Sequence, residues 1–307
     1  MEGIVLKSTG SWYNILASDH REYKGRVRGK LRIKGLKTTN PIAVGDLVKI
    51  TVEDTQDDQA MIEEVLPRTN YIIRQSVKKT DHAHIIAANI DQAMLIVTLV
   101  YPRTSAGFID RFLVTAESFR IPQVLVFNKI DLLSDKERAE QREMIRIYEA
   151  IGIACVETSA IRKEGISLMD EVLQRKKTLI SGHSGVGKST LVNLIAPAID
   201  QKTAEVSDFA EKGVHTTTFA EMFRLNEGTF IIDTPGIKEL GLIEIEPFEL
   251  SDYFPEMRVR RNECKFNNCL HTREPGCAIK TALQAGEISE SRYRSYLSML
   301  EGEDNRR

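Results

Sequence analysis

The sequence lacks the features that several large classes of protein require. No apolar run approaches the ~20 residues that a membrane-spanning helix needs, so we expect no membrane partner. Residues 1–3 lead directly into a strand-like run without the basic and apolar segments of a signal peptide, and we therefore expect a cytoplasmic protein. The chain has four cysteines. Three of them are crowded into residues 264–277 beside a histidine, which favours a metal site in a reducing compartment over a disulfide framework.

An excess of charge is also missing. The net charge is only -2, so any nucleic-acid partner must be held by local basic patches. A content of 42% hydrophobic and 28% charged residues is typical of a globular protein. The length of 307 residues is enough for two or three domains.

Three blocks follow one another along the chain. Residues 1–70 contain many short strand patterns with turn signals, which predict a small β-barrel, most commonly an oligonucleotide-binding (OB) fold. Residues 71–245 alternate strands with helices, including a helix over 109–119 and another over 135–151, and predict a doubly wound α/β sheet. Residues 246–307 hold the Cys/His cluster and two further helical stretches. The predicted fold class is therefore α/β, with a β-barrel before the sheet and a metal-binding tail after it.

The N-terminal block carries a basic stripe in which every second residue is cationic. An extended backbone would place all of these side chains on one face, where they could track RNA phosphates. Gly25, Gly29 and Gly35 favour the alternative of a solvated loop. The residues of this predicted RNA-binding stripe are Lys24, Arg26, Arg28, Lys30, Arg32 and Lys34.

A phosphate-binding loop is predicted at residues 182–189, which match the pattern G-x-x-x-x-G-K-[ST] at every specified position. Its glycines let the backbone N–H groups face phosphates, and the following helix adds its positive end. We expect Lys188 to bridge the β- and γ-phosphates as a catalytic group, and Ser189 to bind Mg²⁺. The predicted nucleotide-binding residues here are Gly182, His183, Ser184, Gly185, Val186, Gly187, Lys188, Ser189 and Thr190.

The motif Asp233-Thr234-Pro235-Gly236 follows downstream and predicts the other half of a magnesium and γ-phosphate site, with Asp233 as a magnesium ligand and Gly236 at the γ-phosphate. Between the two motifs, residues 213–218 stand where the first switch loop of a GTPase belongs. We expect Thr217 to contact Mg²⁺ and sense the γ-phosphate there. Thr216 and Thr218 remain alternatives.

The base is predicted to be guanine. Asn128-Lys129-Ile130-Asp131 supplies a carboxylate, Asp131, that can accept from the N1–H and N2 amine of guanine together, whereas adenine offers an acceptor at N1. Lys129 is expected to pack along the base and phosphate loop, Asn128 to tie the loops together, and the backbone of Ser159 and Ala160 to donate to guanine O6. This motif precedes the phosphate loop, the reverse of the order in ordinary small GTPases. The G domain is therefore circularly permuted.

The hydrolytic machinery departs from that of Ras-like enzymes. The residue after Gly236 is Ile237, where those enzymes carry the glutamine that orients the attacking water. His215, beside the switch threonines, is the candidate that positions water or stabilises charge. The alternative for His215 is an exposed histidine without a catalytic role.

The tail supplies four soft ligands in the pattern C-x4-C-x-H-x5-C, enough for a closed tetrahedral Zn²⁺ site. A closed site is structural, because no coordination position remains for water. The alternative is a set of unrelated cysteines. The predicted ligands are Cys264, Cys269, His271 and Cys277.

Two further predictions concern the basic residues beside the metal pattern and the fourth cysteine. A second basic patch is expected around the metal loop, and Cys155 is expected to be a core residue. The patch consists of Arg258, Arg260, Arg261 and Lys265.

The order NKID, ETSA, GHSGVGKS, GVHTTT, DTPG, followed by the metal tail, resembles the RsgA (YjeQ/YloQ) family, circularly permuted GTPases of bacterial small-subunit maturation. The resemblance covers nearly the whole chain. It implies an OB fold at the N-terminus, a zinc domain at the C-terminus, and GTP or GDP with Mg²⁺ at the nucleotide site. It also implies the 30S subunit and its 16S rRNA as partners, and a catalytic role for His215.

These expectations describe a monomeric, three-domain GTP phosphohydrolase. It would bind the 30S particle late in maturation, hydrolyse GTP faster on that particle, and then leave. The segment after Gly236 runs directly into the tail, so loss of the γ-phosphate is expected to move or loosen the tail. The alternative is a nucleotide-gated RNA-binding or chaperone module whose hydrolysis is incidental. Ile237 fits that alternative, and His215 argues against it.

Overall fold

A computed structural model describes residues 1–27, 41–53, 58–74, 84–197, 220–233 and 245–302. The chain divides into two compact units. Unit 1 comprises Met1–Met94, Ser167–Ser181 and Ser189–Glu239, and unit 2 comprises Leu95–Ile166, Gly182–Lys188 and Leu240–Arg307. Among the described residues, no helix is long and apolar enough to cross a bilayer.

The strands are numbered in chain order. They are β1 Glu2–Ser8, β2 Tyr13–Ala17, β3 Glu22–Val27, β4 Leu47–Val52, β5 Gln59–Val65, β6 Tyr71–Arg74, β7 His84–Ala88, β8 Gln92–Val97, β9 Gln123–Phe127, β10 Ala154–Glu157, β11 Lys177–Gly182, β12 Glu221–Asn226 and β13 Thr229–Asp233. The α-helices are α1 Ala106–Ser118, α2 Asp135–Ala150, α3 Ile166–Leu173, α4 Lys188–Ile195, α5 Pro255–Arg258, α6 Ala278–Gln284 and α7 Glu290–Leu300. Short 3-10 helices span Ile130–Leu132, Leu250–Tyr253 and Arg261–Glu263.

The first five strands of unit 1 form a closed barrel. Its order is β1-β2-β3-β5-β4, and β4 pairs back onto β1. All pairings are antiparallel except that of β3 with β5. Alternate residues point inward and close a core that removes apolar surface from water. That core consists of Val5, Tyr13, Ile15, Ala17, Tyr23, Ile42, Val48, Ile50, Ala60 and Ile62.

A buried ion pair between Arg68 and Asp46 stabilises the barrel. Arg68 donates to both carboxylate oxygens of Asp46, at 2.6 Å each, and to the carbonyl of Pro41 at 3.0 Å. Asp46 also accepts from the backbone N–H of Ala43 at 2.8 Å. Each oxygen of this fully buried carboxylate therefore has a donor, which is the condition for tolerating a buried charge.

Strands β11, β13 and β12 of unit 1 continue the sheet beyond β1 of the barrel. β11 and β13 are parallel, β12 is antiparallel to β13, and β12 meets β1 at the pair Lys7 and Glu221. The Lys7 ammonium donates to the Glu221 carboxylate at 2.8 Å. Parallel β11 and β13 end at the same edge of the sheet, which positions Asp233.

Unit 2 contains parallel β9 and β10 with helices α1 and α2. Helix α2 starts where a capping box fixes it: the Ser134 hydroxyl accepts from the Glu137 N–H, and the Glu137 carboxylate accepts from the Ser134 N–H. Helix α1 starts three residues before the predicted 109, because Ser105 is its N-cap and accepts from Phe108 N–H. Ser105 is polar and lies outside the apolar periodicity of the sequence, so that periodicity does not indicate the cap.

The tail of unit 2 packs around its own apolar cluster and includes one residue of α1. The buried members are Val114, Leu250, Phe254, Met257, Cys264, Cys269, Cys277, Ile279, Ala282, Ile288, Tyr296 and Met299. The predicted fold class is thus confirmed: a barrel, an α/β region with parallel strands, and a Cys/His tail with helices.

Candidate functional site

Asn128 stands directly after β9 and connects two loops of unit 2. Its backbone N–H donates to the Val97 carbonyl at 2.9 Å, which continues the strand pairing. Its amide nitrogen donates to the Val186 carbonyl in the phosphate loop at 2.8 Å. Its amide oxygen accepts from Ala160 N–H at 3.3 Å and from the Thr158 hydroxyl at 3.1 Å. One buried amide therefore holds the phosphate loop and the loop after β10 at a fixed separation.

Lys129 adopts the left-handed conformation, with φ 64°. Its ammonium group donates to the carbonyls of Gly185, at 2.6 Å, and Tyr101. Tyr101 is 78% exposed. The lysine thus stretches across the phosphate loop, and its aliphatic stem is available to pack along a flat base.

Asp131 lies in the 3-10 helix that follows, and its carboxylate is oriented by a neighbour. The Ser159 hydroxyl donates to Asp131 Oδ1 at 2.5 Å. Ser159 is itself buried and accepts from Arg162 N–H at 3.1 Å, so its hydroxyl has a fixed direction. The predicted base-reading residues Asn128, Lys129, Ile130, Asp131, Ser159 and Ala160 are therefore brought together in one part of unit 2.

The phosphate loop between β11 and α4 requires glycine at two positions with positive φ, Gly185 (84°) and Gly187 (91°). A Cβ at Gly187 would lie 2.4 Å from the Asn128 amide nitrogen, a collision as well as a strained backbone. The loop therefore closes directly onto Asn128. Helix α4 begins at Lys188, so the first N–H groups of that helix follow the loop.

An aromatic contact joins the phosphate loop to α1. The His183 ring lies 3.9 Å from the Phe108 ring, centroid to centroid, at 34°. The sequence predicts His183 as a nucleotide-binding residue, whereas Phe108 is not among the predicted site residues. The predicted helix begins at residue 109 and leaves Phe108 out, so no local signal identifies its contact.

The predicted magnesium side is partly described. Asp233 ends β13 opposite Ile180 of β11, at the same edge as Ser181, the last residue before the phosphate loop. Ser189 and Thr190 are exposed in the first turn of α4. The predictions for His215, Thr217 and Gly236, and the position of Ile237, lie outside the described residues.

The basic stripe is described at two of its six positions. Lys24 and Arg26 are exposed on β3, with the buried Gly25 between them. Arg26 contacts Glu53 at 3.3 Å. The predictions for Arg28, Lys30, Arg32 and Lys34 lie outside the described residues.

The four tail ligands converge on one point. Their donor atoms all lie within 4.8 Å of one another, and all four residues are buried. His271 Nδ1 lies 3.6 Å from Cys264 Sγ and 3.4 Å from Cys277 Sγ, and these two sulfurs are 4.0 Å apart. Tetrahedral zinc with bonds of about 2.0–2.3 Å separates its ligand atoms by about 3.5–3.8 Å. The donor set and its spacing therefore fit a closed metal site.

Neighbouring groups hold the metal loop in shape. The Glu274 carboxylate accepts from the N–H groups of Leu270 and Thr272 at 2.8 Å and of Arg273 at 3.0 Å. Tyr293 donates to the His271 carbonyl at 2.6 Å. Such outer contacts orient ligands around a metal.

Burial raises the pKa of two thiols, that of Cys269 in the Cys/His cluster and that of Cys155 in β10. Desolvation raises the pKa of Cys269 to about 12, so a metal must displace a tightly held proton there. Burial, with Glu149 and Glu157 nearby, likewise raises the pKa of Cys155 to about 12. Cys155 is only partly buried rather than a fully buried core residue, and its raised pKa keeps the thiol protonated at neutral pH.

Three of the four residues of the expected second basic patch around the metal loop are ion-paired. Arg258 pairs with Glu117, Arg260 with Glu287 at 2.9 Å, and Arg261 with Asp252. Glu117 and Glu287 are distant in sequence from the arginines that they pair with, whereas Asp252 is near Arg261. The sequence pattern could not reveal these pairs.

A family model described as RsgA GTPase matches residues 65–243, and one described as RsgA N-terminal domain matches residues 2–62. The chain is 52% identical over 307 residues to the small ribosomal subunit biogenesis GTPase RsgA of Cytophaga hutchinsonii, covering 100% of both chains. It is 49% identical over 306 residues to the protein of that name from Christiangramia forsetii, covering 99% of this chain and 97% of that one.

Solved structures are similar over the full length. The crystal structure of YjeQ from Thermotoga maritima superposes with a TM-score of 0.80 at 35% identity, covering 100% of this chain and 99% of that one. The crystal structure of YloQ, a circularly permuted GTPase, has a TM-score of 0.77 at 29% identity, covering 100% and 96%. With the guanine-type loop upstream of the phosphate loop and relatives matched from end to end, the chain belongs to the RsgA GTPase family.

Proposed function

We propose that this protein is a GTPase of small ribosomal subunit biogenesis. It binds the 30S subunit through 16S rRNA in its GTP state, hydrolyses GTP to GDP and phosphate faster on the subunit, and then dissociates. It acts as a monomer in the cytoplasm. Support comes from full-length relatives named for this process, at about half identity.

Guanine is selected by Asp131. With Ser159 donating to one side of the carboxylate at 2.5 Å, Asp131 can accept from both N–H groups on the guanine edge. Ala160 N–H, which contacts Asn128 at 3.3 Å in this structure, is a donor available to O6. The Lys129 stem covers the base.

The triphosphate is held by the loop at residues 182–189 and by Lys188, whose cation neutralises charge between the β- and γ-phosphates. Ser189, Thr217 and Asp233 are the residues that would hold Mg²⁺. That ion supplies positive charge against the phosphate oxygens. His215 positions the attacking water or stabilises the transferring charge, taking the place of the glutamine that Ile237 replaces.

The tail is a separate folded domain. Its residues Cys264, Cys269, His271 and Cys277 would hold one structural Zn²⁺. The domains are 1–70, 71–245 and 246–307. Because the segment after Gly236 enters the tail, loss of the γ-phosphate changes how the tail engages the subunit.

One observation carries the proposal: the Asn128 side chain contacts both the phosphate loop, at Val186, and the base-reading loop after β10, at Ala160. A base and a phosphate chain can be bound together only if these loops are at a constant separation. A protein that bound RNA alone would not need this link.

The test measures GTP turnover with and without purified 30S subunits, and co-sedimentation with a non-hydrolysable GTP analogue or with GDP. We expect stimulation by the subunit and stronger co-sedimentation with the analogue. The variant His215→Ala is expected to retain GTP binding and lose the stimulated hydrolysis. Absence of co-sedimentation in either nucleotide state would contradict the proposal.

The alternative, a nucleotide-gated RNA chaperone with incidental hydrolysis, is suggested by Ile237. It predicts subunit binding without any stimulation of turnover. The same two measurements therefore separate the two functions.

A further inference from the structure

The backbone that carries Asp131 is a single 3-10 turn, Ile130–Leu132. Lys129 precedes this turn, and its side chain makes no capping hydrogen bond there. The turn is closed by the Leu133 N–H, which donates to the Ile130 carbonyl at 3.3 Å. A 3-10 turn has poorer hydrogen-bond geometry than an α-helix. Asp131 therefore stands on an element that benefits from a further contact.

Arg138 of α2 supplies that contact. Its Nη2 donates to the Ile130 carbonyl at 2.9 Å, and the bond is partly buried. Hydrogen bonds from an ionised donor are shorter than those between neutral groups and about twice as strong. The carbonyl that closes the turn is therefore held mainly by the Arg138 guanidinium rather than by the longer bond from Leu133.

The reach of Arg138 follows from its place in α2. The capping box of Ser134 and Glu137 starts the helix directly after the turn. Helical side chains lean toward the N-terminus of their helix, so a long side chain near the start extends back over the residues that precede it. Arg142 is exposed one turn further on, about 6 Å along the axis, and has the same side chain without the same target.

The Asp131 side chain is fixed separately from its backbone. The Ser159 hydroxyl donates to Asp131 Oδ1 at 2.5 Å. Ser159 thus orients the carboxylate, while Arg138 holds the turn from which it projects. A carboxylate that accepts from two N–H groups at once depends on both, because paired hydrogen bonds require the correct direction as well as the correct distance.

We propose that Arg138 is a positioning residue for base selection: by holding the Ile130 carbonyl, it keeps the Asp131 carboxylate aligned with both N–H groups on the guanine edge. The proposal rests on the proposed function, since it concerns how the same site selects its nucleotide. Hypoxanthine is the base that this alignment rejects, because it has the N1–H of guanine and lacks the 2-amino group. One hydrogen bond tolerates a range of carboxylate directions, whereas two together do not.

The test compares GDP with IDP, which differ only in the 2-amino group of the base. Both are titrated calorimetrically into the full-length protein with Mg²⁺. The wild type is expected to prefer GDP by about 10- to 150-fold, the worth of one hydrogen bond to a charged group. Diphosphates are used because they lack the γ-phosphate that hydrolysis removes, so the affinities are equilibrium values.

Arg138→Met keeps an unbranched side chain and a good helix former but removes the donor. Within the part of the chain that the structure describes, Arg138 forms no ion pair, so the variant leaves no carboxylate without its cation. We expect its GDP affinity to fall about 10-fold and its IDP affinity to fall less than about 3-fold. The preference for GDP therefore shrinks.

Arg142→Met is the matched control, because it removes the same charge from the same helix. It is expected to keep the wild-type preference. A purely structural role of Arg138 would weaken the binding of GDP and IDP equally, and equal losses in Arg138→Met would overturn the proposal.

A second measurement follows the turn itself. Amide hydrogen exchange of residues 129–134, without nucleotide, is expected to be faster in Arg138→Met than in the wild type or Arg142→Met. The reason is that the Leu133 N–H bonds to the same carbonyl that Arg138 holds. Exchange at the wild-type rate would show that the turn keeps its shape without Arg138, and would also overturn the proposal.

Two outcomes distinguish this inference from the function on which it rests. If the wild type prefers GDP and Arg138→Met keeps the whole preference, the role of Arg138 is refuted and the function stands. If the wild type binds GDP and IDP equally, Asp131 does not read the 2-amino group, and the guanine selection of the proposed function fails together with this inference.

Discussion

Arg292 of α7 is buried against Asp110 of α1, with Nη1 2.6 Å from Oδ1 and the two side chains 1% and 0% exposed. The same guanidinium donates from Nε to Glu256 at 2.8 Å and lies over the Phe254 ring at 4.6 Å. Tyr148 of α2 donates to Asp110 at 3.1 Å. Burial alone lowers the pKa of Arg292, but the two carboxylates outweigh it and raise the pKa, so the side chain stays charged.

Helix α1 therefore contacts both functional parts of unit 2. Phe108 lies against His183 of the phosphate loop, and Asp110, two residues on, holds Arg292 of the tail. Val114 belongs to the apolar cluster of the tail. One helix thus contacts both the phosphate loop and the Cys/His tail.

Removing Arg292 is expected to destabilise unit 2 strongly. The variant Arg292→Ala leaves Asp110 and Glu256 buried without their cation, at a cost of about 3–5 kcal/mol. Urea unfolding measures this cost. The matched control is Arg294→Ala on the same helix, whose ion pair with Glu290 is exposed and worth at most about 0.5 kcal/mol. Equal stability of the two variants would contradict the buried network.

Base selection is tested at Asp131. The variant Asp131→Asn is expected to shift preference from guanine towards xanthine nucleotides, because the amide donates where guanine also donates and xanthine accepts. Affinities for GTP and XTP, measured side by side, report the change. Asp135→Asn, in the exposed first turn of α2, is the control and keeps the wild-type preference. Unchanged GTP affinity in Asp131→Asn would remove the assignment.

The closure of the phosphate loop onto Asn128 is tested at Gly187. A methyl group there meets the Asn128 amide nitrogen at 2.4 Å, so Gly187→Ala is expected to abolish measurable GTP binding. Gly152 has a similar φ of +84°, but an added Cβ meets nothing within 4 Å. Gly152→Ala is therefore expected to lose about 1–2 kcal/mol of stability and to keep nucleotide affinity. Equal GTP binding by the two variants would show that the collision is relieved without effect.

The metal site is tested by composition and by substitution. Freshly purified protein is expected to hold one zinc per chain, and Cys269→Ser to lose it and unfold the tail locally, because metal binding supplies folding free energy. Cys155→Ser serves as control and retains the metal. Elemental analysis and limited proteolysis of the tail provide the measurements, and well under one equivalent of zinc in the wild type would exclude the site.

Local sequence patterns predicted much of the fold. The alternation that places Lys24 and Arg26 on one face of β3 depends only on the two-residue period of a strand. The start of α2 at Asp135 follows from Ser134 and Glu137, which are three residues apart. The start of α1 was placed three residues late, because its cap, Ser105, stands outside the apolar periodicity.

By itself, the sequence determined the kinds of site: a phosphate loop, a guanine-type loop upstream of it, and a Cys/His cluster, since each depends on residue types at short, regular spacing. Only the tertiary structure decided which distant groups meet. The arginines at 258, 260 and 261 are paired with acids far away or on other segments, and Asp110 is joined to Arg292 across 182 positions. The physical reason is that a buried or paired charge is stabilised by the partner that packing brings within about 3 Å, and no local pattern encodes that partner.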